Sequence, residues 1–95
     1  MKNEKTLLIK YTVQFNRQFK TAPLQIKIGF KEARELFLEN STHPNLRNHA
    51  LQKKYVGYRS IDVTDDWRAL FKTKKSTTQT VITFHILGTH TQLYG

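Results

Sequence analysis

Gly57-Tyr58-Arg59-Ser60-Ile61-Asp62-Val63-Thr64-Asp65-Asp66-Trp67-Arg68-Ala69-Leu70-Phe71-Lys72-Thr73 is the stretch that decides the fold. Over residues 57–63 the side chains alternate, Tyr58, Ser60 and Asp62 on one face and Arg59, Ile61 and Val63 on the other, which is the period of a strand. Thr64-Asp65-Asp66 has the short polar side chains that make a hairpin turn, and residues 67–73 read as the return strand. Beyond them, residues 74–78 form a basic, polar turn, and residues 79–87 are a third strand rich in β-branched side chains. Gly88 ends that strand, leaving residues 90–95 as a short tail.

Upstream of residue 55 the period is helical. Thr6 to Tyr11 is a β-rich first strand, and Phe15 and Phe19, four apart among polar residues, make a short amphipathic helix with Thr12 as its N-cap. Pro23 suits the first turn of a second helix. There Ile26, Phe30, Ala33 and Phe37 follow steps of four, three and four, Leu36 widens the stripe, and Asn40 is the C-cap. The expectation is a single α+β domain over residues 1–95 in the order β-α-α-β-β-β. A two-helix hairpin packs on one face of a mainly antiparallel four-stranded sheet. Phe15, Phe19, Ile26, Phe30, Ala33, Phe37, Ile61 and Phe71 are its expected core.

Charge is the strongest compositional signal. Sixteen Lys and Arg against seven Asp and Glu leave +9 on 95 residues. The excess is spread over both halves of the chain, so it belongs to a folded surface whose complement is a polyanion. Solubility alone needs far less. With no cysteine there is no disulfide, thiolate metal site or thiol nucleophile. The first ten residues hold three consecutive apolar side chains, too few for a signal peptide. No stretch approaches the roughly 18 that a membrane span needs. A soluble, cytoplasmic protein without a membrane partner is expected.

Four linked blocks carry a family resemblance: His49-Ala50-Leu51, Tyr55-Val56-Gly57-Tyr58-Arg59-Ser60, Asp66-Trp67-Arg68, and Gly88-Thr89-His90 with Leu93-Tyr94. In order and spacing they resemble the RelE/ParE toxin superfamily, and within it the YafQ-like branch, over about residues 43–95. The first half matches only in the order of its elements. The resemblance implies a RelE-like toxin of a type II toxin–antitoxin system. Such a toxin is held inactive by a cognate antitoxin protein and is an mRNA interferase that cuts mRNA, typically on the ribosome.

RNA cleavage of this kind uses the 2′-hydroxyl as nucleophile, with a base, an acid for the departing 5′-oxygen, and cations on the phosphorane. At the matching positions His49 and His90 can act as base or acid, Asp66 orients or charges a histidine or takes the proton itself, and Tyr94 donates a hydrogen bond or stacks on a base. Lys53, Lys54, Arg59 and Arg68 are candidates for phosphate, and Trp67 for base stacking. No metal, cofactor or small molecule is expected. Active relatives in the resemblance often carry another polar or basic residue at Asp62 and an arginine just before Gly-Thr-His, where this chain has Ile86-Leu87. Asp62 would repel a phosphate unless paired with an arginine or lysine, and Arg59 or Arg68 would have to replace the missing cation.

Plainer readings stand beside these. His90 and Asp66 sit where polar turn residues are common, His49 beside Asn48 suits a solvated loop, and Trp67 suits a core. His43, before Pro44, is a turn residue, His85 a strand residue, and Lys74-Lys75 a solvated pair. Three other functions compete: a ParE-like inhibitor of a protein such as DNA gyrase, an RNA-binding module without chemistry, and a metal site from His49, Asp66 and His90. A pure binder has no need of an acid–base set, which favours the ribonuclease.

Overall fold

Thr6–Tyr11 forms strand β1, and Thr12 then turns the chain into helix α1, Val13–Thr21, its Oγ1 accepting from the Phe15 N–H at 3.0 Å. This is a computed structural model, and it describes residues 6–94. Residues 1–5 of the opening segment and Gly95 of the expected tail lie outside the described residues. Helix α2, Leu24–Glu39, begins immediately after Pro23 and closes with the Asn40 N–H on the Leu36 carbonyl at 2.8 Å. Strands β2, His49–Ala50, β3, Arg59–Asp62, β4, Trp67–Lys75, and β5, Gln79–Thr89, complete one sheet. A short helix α3, His90–Tyr94, follows β5 directly.

The sheet has five strands in the order β1-β5-β4-β3-β2, antiparallel except where β1 lies parallel to β5. The expected fourfold sheet therefore gains β2, two residues that pair with Ser60 and Arg59 on what reads in sequence as a loop. The strand expected over residues 57–63 is shorter, because Gly57 turns the chain at φ 93° and Tyr55–Tyr58 is closed by a turn hydrogen bond. Strand β4 runs through Lys74 and Lys75, so the expected basic turn contracts to residues 76–78, where the Ser76 hydroxyl accepts from the Gln79 N–H at 3.1 Å.

Helices α1 and α2 cover one face of the sheet. Phe15, Phe30, Phe37, Phe71 and Phe84 meet there edge to face or tilted, Phe30 and Phe84 with centroids 5.1 Å apart. Burying each such ring contributes about 1.5–3 kcal/mol, and each aromatic pair roughly 0.5–1.5 kcal/mol more. Every residue of the expected core is buried except Phe19, which packs half-exposed against its margin. Next to this core the β4–β5 ladder carries a bulge: Leu70 pairs with Ile86 and Phe71 with Phe84, so His85 has no partner. Helix α1 takes up backbone groups there, Thr12 Oγ1 donating to the His85 carbonyl at 3.2 Å and Gln18 Oε1 accepting from the Leu87 N–H at 2.8 Å.

The opposite face is only half covered. A Cβ at Gly88 would meet Leu93 of α3 at 3.6 Å, and Gly88 is the cross-strand partner of Arg68 on that same face. Helix α3 thus sits on the side away from α1 and α2, where a short tail was expected. Thr89 and Gln92 nucleate it by a reciprocal cap: Gln92 Oε1 accepts from the Thr89 N–H at 2.8 Å and Thr89 Oγ1 from the Gln92 N–H at 3.0 Å.

Candidate active site

An open groove of about 620 Å³ lies between β2, β3, β4 and α3, lined by Arg47, Asn48, His49, Leu51, Ser60, Arg68, His90 and Tyr94. Four of the expected site residues, His49, Arg68, His90 and Tyr94, meet in it. His90 is aimed by its own backbone, whose N–H donates to the Asp66 carbonyl at 2.8 Å, and its ring lies 4.8 Å from that of Tyr94. Asp66 therefore positions His90 through its main chain, while its side chain is exposed and does not line the groove.

His49 is set by the turn before it. The 3-10 turn Pro44–Leu46 ends at Arg47 in the left-handed region, φ 45° and ψ 45°, which swings the chain into β2. The His49 Nδ1 then stands 2.7 Å from the Arg47 carbonyl. A carbonyl can only accept, so Nδ1 carries a proton in this contact, and Nε2 is the nitrogen left for other partners.

The groove's charge is organised by Asp62. Its Oδ2 accepts from Arg47 Nε at 2.6 Å, and its Oδ1 lies 3.2 Å from Arg68 Nε, an ion pair whose angles fall short of a hydrogen bond. Arg68 is itself buried, and its Nη1 donates to the carbonyls of Thr64, Asp65 and Trp67 at 2.9, 3.1 and 3.1 Å. One guanidinium thereby ties down the β3–β4 turn and supplies positive charge to the groove. The acidic side chain that would repel a phosphate is paired twice, with Arg68 and with Arg47, which sequence reasoning did not single out.

Tyr94 has its phenol raised above the ordinary range, chiefly by burial. Ser60 and the Arg68 charge oppose that shift, and the Tyr55 phenol reinforces it. Ser60 Oγ, fully buried in the groove floor, lies toward the phenol without a hydrogen bond of good geometry. Tyr94 consequently stays protonated, a donor rather than an anion.

The other expected residues lie elsewhere. Arg59 shares its face with Phe71 on the helix side of the sheet, where its Nε donates to Asn48 Oδ1 at 2.8 Å. It holds the backbone before His49 instead of reaching the groove. Trp67 packs half-buried against the core. Lys53 and Lys54 are exposed on a 3-10 turn beyond Leu51, Lys54 Nζ standing 5.2 Å from the Tyr55 ring centroid. His43 serves its turn, Nδ1 accepting from the Asn45 N–H at 3.1 Å. Among the described residues no three of His, Cys, Asp and Glu come close enough to hold a metal ion, so His49, Asp66 and His90 do not assemble a metal site. No helix among them is long and apolar enough to cross a membrane.

The family model described as the bacterial toxin of type II toxin–antitoxin system, YafQ, matches residues 7–95. The mRNA interferase toxin YafQ of Escherichia coli (strain B / BL21-DE3) is 32% identical over 92 residues, covering 92% of this chain and 95% of that one. The crystal structure of YafQ from the BL21(DE3) strain superposes with a TM-score of 0.73 at 26% identity, over 92% of this chain and 97% of that one. The toxin in the E. coli DinJ–YafQ toxin–antitoxin complex gives 0.68 at 26% identity, over 99% and 100%. The fold alone extends to a YoeB/ParE toxin from Agrobacterium tumefaciens, with a TM-score of 0.71 at 10% identity, over 87% and 98%. The four blocks that suggested the YafQ-like branch therefore lie in a match that runs through both halves of the molecule, and the chain belongs to the YafQ family of bacterial toxins of type II toxin–antitoxin systems.

Proposed function

We propose that the chain is an mRNA interferase, an endoribonuclease that cuts mRNA on the ribosome in the cytoplasm and is held inactive by a cognate antitoxin protein. The observation that carries this reading is the convergence of His49, Arg68, His90 and Tyr94 on one basic groove. His49 Nε2 takes the proton of the 2′-hydroxyl, and the freed oxygen attacks the adjacent phosphorus. His90, as imidazolium, gives a proton to the departing 5′-oxygen, so the products are a 2′,3′-cyclic phosphate and a 5′-hydroxyl. Arg68, with Nε and Nη1 already fixed by the protein, offers its remaining nitrogen to a phosphate oxygen. Arg47, at the groove wall, replaces the cation that the Ile86-Leu87 positions lack. Tyr94, kept protonated, donates to the crowded phosphate or stacks on the base. The scheme invokes no metal ion or cofactor.

Expression in a host lacking the antitoxin tests it. Growth should stop, and mRNA should accumulate fragments with 5′-hydroxyl ends. Co-expression of the antitoxin should restore both. Intact mRNA and unchanged growth on expression of wild type would refute the reading.

A further inference from the structure

Tyr94, which lines the groove, also begins a row of rings outside it. Beyond it, on the same face of the sheet, aromatic rings continue edge to face: Tyr94 to Tyr55 at 5.8 Å between centroids, Tyr55 to Tyr58 at 6.0 Å, and Tyr58 to His85 at 5.4 Å. None of these rings belongs to the hydrophobic core or packs against it, and all are at least partly open to solvent. Two ammonium groups accompany them, Lys54 Nζ 5.2 Å from the Tyr55 centroid and Lys72 Nζ 4.6 Å from that of Tyr58.

His85 reaches this row because of the bulge. Leaving it unpaired between Phe84 and Ile86 turns its ring onto the face that carries Tyr58, and bulges re-aim side chains in this way. Its imidazole is held below the ordinary pKa, first by burial and then by the Lys72 charge, so it stands there as a neutral aromatic ring. The main hydrophobic cluster lies on the other face, and these rings stand outside it. What a row of half-open rings interleaved with lysines does fit is a single strand of nucleic acid, its bases on the rings and its phosphates on the ammonium groups.

We propose that Tyr55, Tyr58 and His85, with Lys54 and Lys72, form a single-stranded RNA subsite that takes the nucleotides flanking the one cut in the groove. It rests on the ribonuclease reading for its place beside a scissile phosphate, but the binding itself does not depend on cleavage. A base arriving on Tyr58 displaces the Lys72 ammonium from the ring, and the ammonium moves to the neighbouring phosphate. Because every base has a π face, this subsite contributes reach and affinity rather than sequence choice.

The test is binding of 2′-O-methyl RNA, uncleavable for want of a 2′-hydroxyl, as a 12-mer and as a 3-mer, read by fluorescence anisotropy. Tyr58→Ala and Tyr55→Ala should each weaken the 12-mer about tenfold, the usual scale for one lost stack, and leave the 3-mer unchanged. Tyr58→Phe keeps the ring and should bind the 12-mer as wild type does, which separates stacking from a folding defect. In a second arm, 5-iodouridine moved along the 12-mer should crosslink to Tyr55 or Tyr58 at positions a few nucleotides from those reaching Tyr94. Equal 12-mer affinity for Tyr58→Ala and wild type, or crosslinks confined to the His90–Tyr94 end, would overturn the proposal. Loss of cleavage by wild type with 12-mer binding and its Tyr58 dependence intact would instead strike the ribonuclease reading and uphold the subsite.

Discussion

Asp62→Ala is the perturbation whose size follows most directly from the geometry. Asp62 holds two guanidinium groups, one exposed and one buried, the side chains of Arg47 and Arg68 being 66% and 10% accessible. The exposed pair is screened and contributes only about 0.2–1 kcal/mol. The buried pair is different, because removing the carboxylate leaves the Arg68 charge uncompensated in a dry setting. Such a loss costs about 3–5 kcal/mol in fully buried cases. Asp62 keeps 17% exposure, and three carbonyls still hold Arg68 Nη1, so the low end applies. The expected loss is about 2–3 kcal/mol, or roughly 10–20 °C in Tm for a domain of this size. Urea and thermal unfolding should be measured in a His90→Ala background, so that toxicity does not limit expression. Asp62→Asn, which keeps an acceptor for Arg47, should lose less. Adding Arg68→Met to Asp62→Ala should recover part of the loss, since the orphaned charge is then gone. A single Asp62→Ala change within about 0.5 kcal/mol of wild type, the range of an ordinary surface substitution, would refute the claim that Asp62 organises the groove.

Two further outcomes follow from single contacts. His85 is held below its ordinary pKa of 6.5, so the folded state resists its protonation; its contribution to stability is present above pH 6.5 and is lost as pH falls through the lowered folded value. Wild type should therefore lose more stability than His85→Gln on acidification below pH 6.5, and parallel unfolding curves would contradict this. Gln92→Ala removes the cap on the Thr89 N–H and should cost about 1 kcal/mol. Because α3 carries His90 and Tyr94, its cleavage rate should fall as well, and a change in stability without a change in rate would separate the cap from the site.

Much of this molecule is legible in its residues. The helices announce themselves because Phe15 and Phe19 on α1, and Ile26, Phe30, Ala33 and Phe37 on α2, each make an apolar stripe, and all but Phe19 are buried where the period puts them. The alternation around Ile61 likewise places Ser60 and Asp62 on the groove face. Strand β2 escapes because two residues hold no period, and only their pairing with Arg59 and Ser60 defines them. Helix α3 had a signal that went unused: Thr89-His90-Thr91-Gln92 is a capping box, and the structure closes it in both directions. Within the site, His49, His90, Arg68 and Tyr94 line one groove. Arg59 does not join them, because one residue of pleat sends it to the opposite face. Arg47 was missed for a different reason. Its place in the groove depends on a left-handed backbone at a non-glycine residue, which no local propensity announces.

In the proposed mechanism His49 and His90 divide the proton transfers of RNA cleavage, and substituting each histidine tests that division. Single-turnover cleavage of a short mRNA on ribosomes would compare wild type with His49→Ala, His90→Ala and His43→Ala. Each of the first two should be slower by about a hundredfold or more, the usual scale for one general acid or base. His43→Ala, whose ring only caps its own turn, should cut at the wild-type rate. Equal rates for all four proteins would contradict the account and remove the proposed chemistry from the groove.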